Sequence, residues 1–326
     1  MRIAYICADR GIPVHGTKGA SVHVRGVAEA LARSGHDVKV LATRAGDPVS
    51  GFRPAVIDFG FDPLLKALRG GIAAAGDETL ASESHGLMLN AALRRLLDAL
   101  DAEWPVDAVY ERYSLWSWSG LHFARERGVP YVLEVNAPLV EEQRTWRTLG
   151  LQPVAAAIEQ LLLKEADIIT VPAHSLRQHV RAVAGERRRA YVLPNGVDLD
   201  LFSEPAAPPD GVLARLEGRF VVAFLGSLKP WHGIEALWRG FLALRRRVPA
   251  AHLLVIGDGP MRAYLEKAAA AYDPGAVTLT GAVEHRQVPG LLAAADVGVA
   301  PYPRLKDFYF CPLKIVEYLA AGLPVV

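Results

Sequence analysis

The feature that most constrains this chain is a rhythm. Short apolar runs alternate with longer segments of helical period, and after a proline-rich interruption the rhythm starts again. Arg2–Cys7 reads as a buried strand, the stretch from Ser21 to Ser34 as a helix, and Val38 to Ala42 as the next strand. Gly35 sits where a helix would end, because glycine accepts a positive φ at low cost. The alternation continues through Ala108-Val109-Tyr110, a helix from Trp118 to Arg127, and strands from Pro130 to Val135 and from Ile168 to Val171. Strands apolar along their whole length and separated by helices belong to α/β folds, in parallel sheets covered on both faces.

Residues 201–217 interrupt the pattern with Pro205, Pro208, Pro209 and Gly211 and read as a linker. Beyond them, strands at Phe220–Leu225, His252 to Ile256, Val277 to Leu279 and Val297 to Ala300 alternate with helices. Those helices run from Gly233 to Arg246, Met261 to Ala271 and Val288 to Ala294. The prediction is two successive doubly wound domains, residues 1–200 and 218–326. The length of 326 residues agrees, being more than one average core. Residues 60–90 hold Gly60, Gly70, Gly71, Gly76 and Gly86 and are expected to form a loop over part of a cleft.

A formal charge of +1 gives no whole-molecule pull toward nucleic acid. The basic runs 187–189 and 245–247 read as solvated helix ends, compatible at most with a peripheral contact at an anionic membrane face. The two cysteines, Cys7 and Cys311, lie far apart without metal-ligand spacing and fit a reducing compartment. The first apolar run is too short for a signal peptide, and no stretch approaches a charge-free membrane span. A cytoplasmic protein is expected, with any membrane contact peripheral at the inner face.

Three segments carry chemistry. The loop from Gly11 to His23 joins the first strand to a helix, where glycines let backbone N–H groups approach an anion. Its spacing does not match the dinucleotide fingerprint. Gly226-Ser227-Leu228-Lys229-Pro230-Trp231-His232-Gly233 occupies the same junction in the second domain and adds two cations suited to a diphosphate. Pro312, Lys314 and Glu317 open a further helix; residues three apart share a face, so an ammonium and a carboxylate are presented together. The ammonium suits a departing diphosphate and the carboxylate suits ribose hydroxyls. Asp198-Leu199-Asp200 has metal-binding spacing but is a common tripeptide beside the linker, and no metal is expected. No Ser-His-Asp or Cys-His arrangement is evident.

With these residues in place, the chain resembles the retaining glycosyltransferases of family 4, of GT-B fold. The resemblance runs over nearly the whole length. It rests on Lys18-Gly19-Ala20-Ser21-Val22-His23-Val24, Ser34-Gly35-His36-Asp37-Val38, Pro194-Asn195-Gly196-Val197-Asp198, Gly257-Asp258-Gly259-Pro260 and Glu317-Tyr318-Leu319-Ala320-Ala321-Gly322. It implies two facing Rossmann-like domains, the first holding the acceptor and the second a nucleotide sugar, which is a substrate, so that no cofactor is required.

The donor set implied by the resemblance is Gly19, Gly226, Ser227, Lys229, His232, Val283, Lys314 and Glu317. Ser227 stands where the family usually has an arginine on the phosphates and His232 where it has a lysine. The first of the family's paired glutamates falls at Tyr309, and Asn136 replaces a histidine common near the reacting sugar. Asn136, Glu134, Lys229 and Lys314 are the catalytic candidates; His23, Glu111 and Arg112 are assigned to the acceptor side. The expected reaction is transfer to a sugar, lipid-linked or small-molecule hydroxyl with retention at the anomeric carbon. A GT-B sugar-nucleotide epimerase and an inactive sugar-nucleotide-binding protein are the alternatives. The resemblance further implies a loop, a strand and helices after Val326, so the second domain is expected to be incomplete and the chain less stable and less active than a longer one.

Overall fold

The computed structural model describes residues 1–303, 309 and 311–326. These divide into two compact units. The first takes Met1–Gly16 and Ala20–Pro194, with Tyr309 and Cys311, and the second takes the remaining described residues.

The first unit is built on a seven-stranded sheet of β1 (Arg2–Cys7), β2 (Asp37–Ala42), β3 (Ala55–Asp58), β4 (Ala108–Arg112), β5 (Tyr131–Glu134), β6 (Ile168–Val171) and β7 (Tyr191–Val192). The order is β3-β2-β1-β4-β5-β6-β7, every pairing parallel. Side chains alternate along β1 between two cores, as a period of two requires. Ala4 and Ile6 join Leu93, Leu97, Leu162 and Leu163 on one face. Ile3, Tyr5 and Cys7 meet Val24 and Ala28, from the helix Gly19–Arg33, on the other. The strand order reverses between β1 and β4, and such a switch point opens a crevice at the carboxyl ends of the strands.

Residues 60–90 depart from the expected loop. Most of them lie in two helices, Pro63–Ala74 and Glu78–Glu103. Asp62 caps the first by accepting from the Leu64 and Leu65 N–H groups, and Asp77 caps the second through Leu80. The glycines that obscured the pattern have separate reasons. Gly70 and Gly71 face open space, whereas Gly86 lets the helix approach Trp116, whose ring a Cβ would meet at 2.7 Å.

The second unit carries β8 (Phe220–Leu225), β9 (Ala251–Ile256), β10 (Val277–Gly281) and β11 (Val297–Gly298), all parallel in the order β10-β9-β8-β11. All six residues of β9 are buried. Part of the segment read as linker is packed structure, since Leu216 of the helix Val212–Leu216 lies in a core with Val221, Leu254 and Leu291. The helix Leu313–Ala320 is seated by Tyr318, whose hydroxyl accepts from the Leu225 N–H at 2.7 Å and donates to the Val299 carbonyl at 3.1 Å. Among the described residues no helix is long and apolar enough to cross a membrane.

Candidate functional site

In the second unit, the loop after β8 and the helix Leu313–Ala320 bring several predicted residues together. Lys314 is buried, and among the described residues its Nζ has no hydrogen-bond partner. The ammonium lies 4.2 Å from the Phe224 ring centroid and 5.0 Å from that of Tyr302. It also stands 3.3 Å from where a Cβ on Gly226 would be. Burial pushes its pKa down to about 7, against a smaller upward pull from Glu317. An ammonium cannot stay buried without an acceptor at no cost. The space beside Gly226 is therefore a candidate anion subsite.

His232 faces the same subsite, its Nδ1 2.6 Å from the Ser227 carbonyl oxygen. Burial and the neighbouring Lys314 hold its pKa at about 4, with Lys229 adding to the depression. In the free protein, His232 is therefore neutral near pH 7, its Nδ1 donating to the Ser227 carbonyl. Lys229 lies with its Nζ 5.7 Å from the Trp231 ring centroid.

The Gly257-Asp258-Gly259-Pro260 motif serves this loop as scaffolding. Leu228 donates to the Asp258 carbonyl at 2.9 Å, and Met261 donates back to Leu228 at 3.0 Å. Gly257, at φ +135°, packs so closely that a Cβ there would come within 2.2 Å of the Gly226 carbonyl oxygen. Gly233, at φ +72°, is equally confined by the Pro301 carbonyl oxygen, which a Cβ would meet at 1.6 Å.

Glu317, one helical turn after Lys314, is buried, and its Oε1 accepts from His285 Nε2 at 2.7 Å. Sequence reasoning missed His285, which is 32 residues away in sequence and follows Val283 in the loop after β10. No local pattern in the sequence marks it. Phe224 and Tyr302, which flank Lys314, were missed for the same reason.

The first unit gathers a second cluster at the carboxyl ends of β1, β4 and β5. Glu134 bonds His23 through Oε1, accepts from the Tyr5 hydroxyl at 3.3 Å and lies 3.9 Å from Arg112 Nη1. Burial alone would raise its pKa, but the charge and hydrogen bond of His23, then Arg112 and Asn136, bring the net shift downward. Asn136 Nδ2 and Arg112 Nη1 are themselves buried without a well-formed hydrogen bond among the described residues. His23, Arg112, Glu134 and Asn136 thus form one charged cluster with spare donors.

Glu111 does not belong to it. It is fully buried, accepting from Ser117 Oγ at 2.5 Å and from the Tyr131 hydroxyl at 2.8 Å. Burial pushes its pKa up to about 7 despite both bonds. Its assignment to the acceptor side is corrected: both oxygens are engaged inside the core. Gly19 opens the helix Gly19–Arg33. Tyr309, which the resemblance aligns with the family's first glutamate, donates its hydroxyl to Glu142 within the first unit. Phe310 beside it lies outside the described residues.

Residues 17–201 match the family described as Glycosyltransferase Family 4, and residues 219–326 match Glycosyl transferases group 1. The chain belongs to glycosyltransferase family 4. The GT-B fold that membership implies agrees with the two parallel-sheet units. Against the GDP-mannose-dependent alpha-(1-6)-phosphatidylinositol monomannoside mannosyltransferase of Mycobacterium tuberculosis, this family 4 chain is 32% identical over 185 residues, 54% of the chain and 48% of that protein. Its match thus spans about half the length of that relative. Against the glycogen synthase of the same organism it is 26% identical over 94% of the chain and 73% of the synthase. In fold it is similar to sucrose-phosphate synthase from Thermosynechococcus elongatus, with a TM-score of 0.69 at 22% identity over 99% of this chain and 80% of that one.

Proposed function

We propose that this protein transfers a sugar from a nucleoside-diphosphate sugar to an acceptor hydroxyl, with retention at the anomeric carbon and without a metal. The observation that carries the reading is Lys314, a buried ammonium with no hydrogen-bond acceptor among the described residues, beside a positive-φ glycine. A diphosphate supplies the acceptor that the ammonium lacks. Family membership supports the reaction class.

On this reading Lys314 and Lys229 neutralise the charge that develops as the diphosphate departs, in a site arranged beforehand for that charge. His232 can bond the same group only by taking up a proton at Nε2, which the diphosphate charge favours. Glu317 takes the ribose, and Val283 lies in the loop that meets the base. In the first unit, Glu134 fixes the ring of His23, and the spare donors of Arg112 and Asn136 orient the incoming hydroxyl or sugar. The acceptor class stays broad: a sugar, a lipid-linked sugar or a small molecule. Peripheral contact with a membrane belongs to the lipid-linked case.

The test is turnover of UDP-, GDP- and ADP-sugars with mixed hydroxyl acceptors in the presence of EDTA, reading nucleoside diphosphate release and the anomeric configuration of the product by NMR. Release that depends on acceptor, survives EDTA and gives the donor's own anomeric configuration is expected. Donor binding without release overturns transfer, and product formed from donor alone points to an epimerase.

A further inference from the structure

His285 has no role in the reaction as proposed above, yet its position is tightly built. It begins a 3₁₀ turn, His285–Gln287, directly after the loop that holds Val283. The turn is locked from both sides: the Gln287 N–H donates to the Glu284 carbonyl at 2.9 Å, and the Glu284 N–H donates to Gln287 Oε1 at 3.2 Å. Gln287 Nε2 then donates to the Ala207 carbonyl at 3.1 Å. A ring on such a mount has little freedom, and it is spent on one contact, His285 Nε2 to Glu317 Oε1 at 2.7 Å.

A carboxylate only accepts, so Nε2 carries the proton in this pair. Among the described residues no hydrogen bond reaches Glu317 Oε2, and that oxygen is not among the buried orphans. One oxygen is held and the other is open. The terminal torsion of a glutamate is soft and roughly two-fold. Without the imidazole, the carboxylate is free to turn toward the ammonium of Lys314 on the same helix face, which has no acceptor of its own. That movement would close the ribose acceptor and quench the cation of the anion subsite together.

We propose that His285 is a positioning residue for donor recognition: by holding Oε1 of Glu317 it aims Oε2 at the vicinal hydroxyls of the donor ribose. The inference rests on the reading of the second unit as a nucleotide-sugar site. It ties the loop after β10 to the helix Leu313–Ala320, so that base and ribose are read by one connected frame.

The experiment measures binding of UDP, GDP and ADP to the whole chain by calorimetry, then of the 2′-deoxy and 3′-deoxy forms of whichever binds. A carboxylate bond to a ribose hydroxyl predicts a preference for the ribose form of about tenfold or more. In His285→Ala the preference should fall to about twofold or less, with diphosphate affinity also reduced. His285→Gln, whose amide N–H can reach Oε1, should restore it. Melting curves of each variant establish that the fold is intact, and a merely structural role would not alter the ribose-to-deoxyribose ratio. If that ratio is unchanged in His285→Ala but lost in Glu317→Gln, the positioning role is overturned and the site reading survives. If Glu317→Gln changes nothing, or none of the three nucleotides binds, the site reading itself fails.

Discussion

Replacing Lys314 by methionine should stabilise the second unit and weaken its hold on nucleoside diphosphates at the same time. The two effects share one cause. In the folded chain the ammonium is buried against Phe224 and Tyr302 with no acceptor among the described residues, and burial lowers its pKa from 10.5 to about 7. A shift of that size corresponds to roughly 5 kcal/mol, of which roughly 4 kcal/mol is felt at neutral pH. The unfolded chain binds the extra proton throughout the window between about 7 and 10.5, so this group makes stability rise with pH there. Methionine keeps the length of the side chain, drops the charge and packs well against aromatic rings. A gain of about 5 °C or more in melting temperature at pH 7 is expected, and the gain should vanish near pH 10.5. The lost charge-assisted bond should weaken UDP, GDP or ADP binding about 10- to 100-fold. Because the free site must take up a proton to engage the diphosphate, affinity of the unaltered chain should fall about tenfold from pH 6 to pH 8 relative to the variant. Scanning fluorimetry and calorimetry on the two proteins read all three quantities. Equal melting temperatures and equal affinities would refute the reasoning.

Three further expectations follow from the same structure. Gly257→Ala should lower both melting temperature and diphosphate affinity, since the new Cβ would sit 2.2 Å from the Gly226 carbonyl oxygen at φ +135°; an unchanged affinity would dissociate the motif from the loop. Glu111 has its pKa raised from 4.5 to about 7, so the folded form holds the proton longer and stability falls as pH rises through that window. Glu111→Gln should remove the loss, worth roughly 3 kcal/mol at pH 8, and be nearly neutral at pH 4.5 in denaturant titrations. His252 has the opposite sign: burial, then Arg219 and Arg245, lower its pKa from 6.5 to about 4, so stability is lost as pH falls through that window. His252→Leu should flatten the acid limb of the melting profile, and an unaltered limb would count against it.

The parallel sheets were legible in the sequence because their central strands are unbroken apolar runs, as at Ile3 to Cys7 and Val221 to Leu225. The helices at Pro63–Ala74 and Glu78–Glu103 were hidden by glycines whose tolerance depends on what lies opposite, open space for Gly70 and Trp116 for Gly86. Lys314 and Glu317 could be paired in advance because three residues on a helix fix a shared face. The pairing of Glu317 with His285, and the burial that neutralises His232 and withdraws Glu111 into the core, depend on long-range packing that no local pattern encodes. The glycines of 257–259 entered only as part of the family resemblance, and the fold alone reveals that they make room for the backbone of Gly226 and Leu228.

The central claim is a nucleoside-diphosphate site on the second unit, organised by Lys314 and Glu317. A crystal structure with the nucleoside diphosphate that binds most tightly tests it directly. A phosphate oxygen about 2.7–3.1 Å from Lys314 Nζ and a ribose hydroxyl at hydrogen-bond distance from Glu317 Oε2 are expected. Density for the nucleotide elsewhere, with the Lys314 ammonium still without an acceptor, would contradict it.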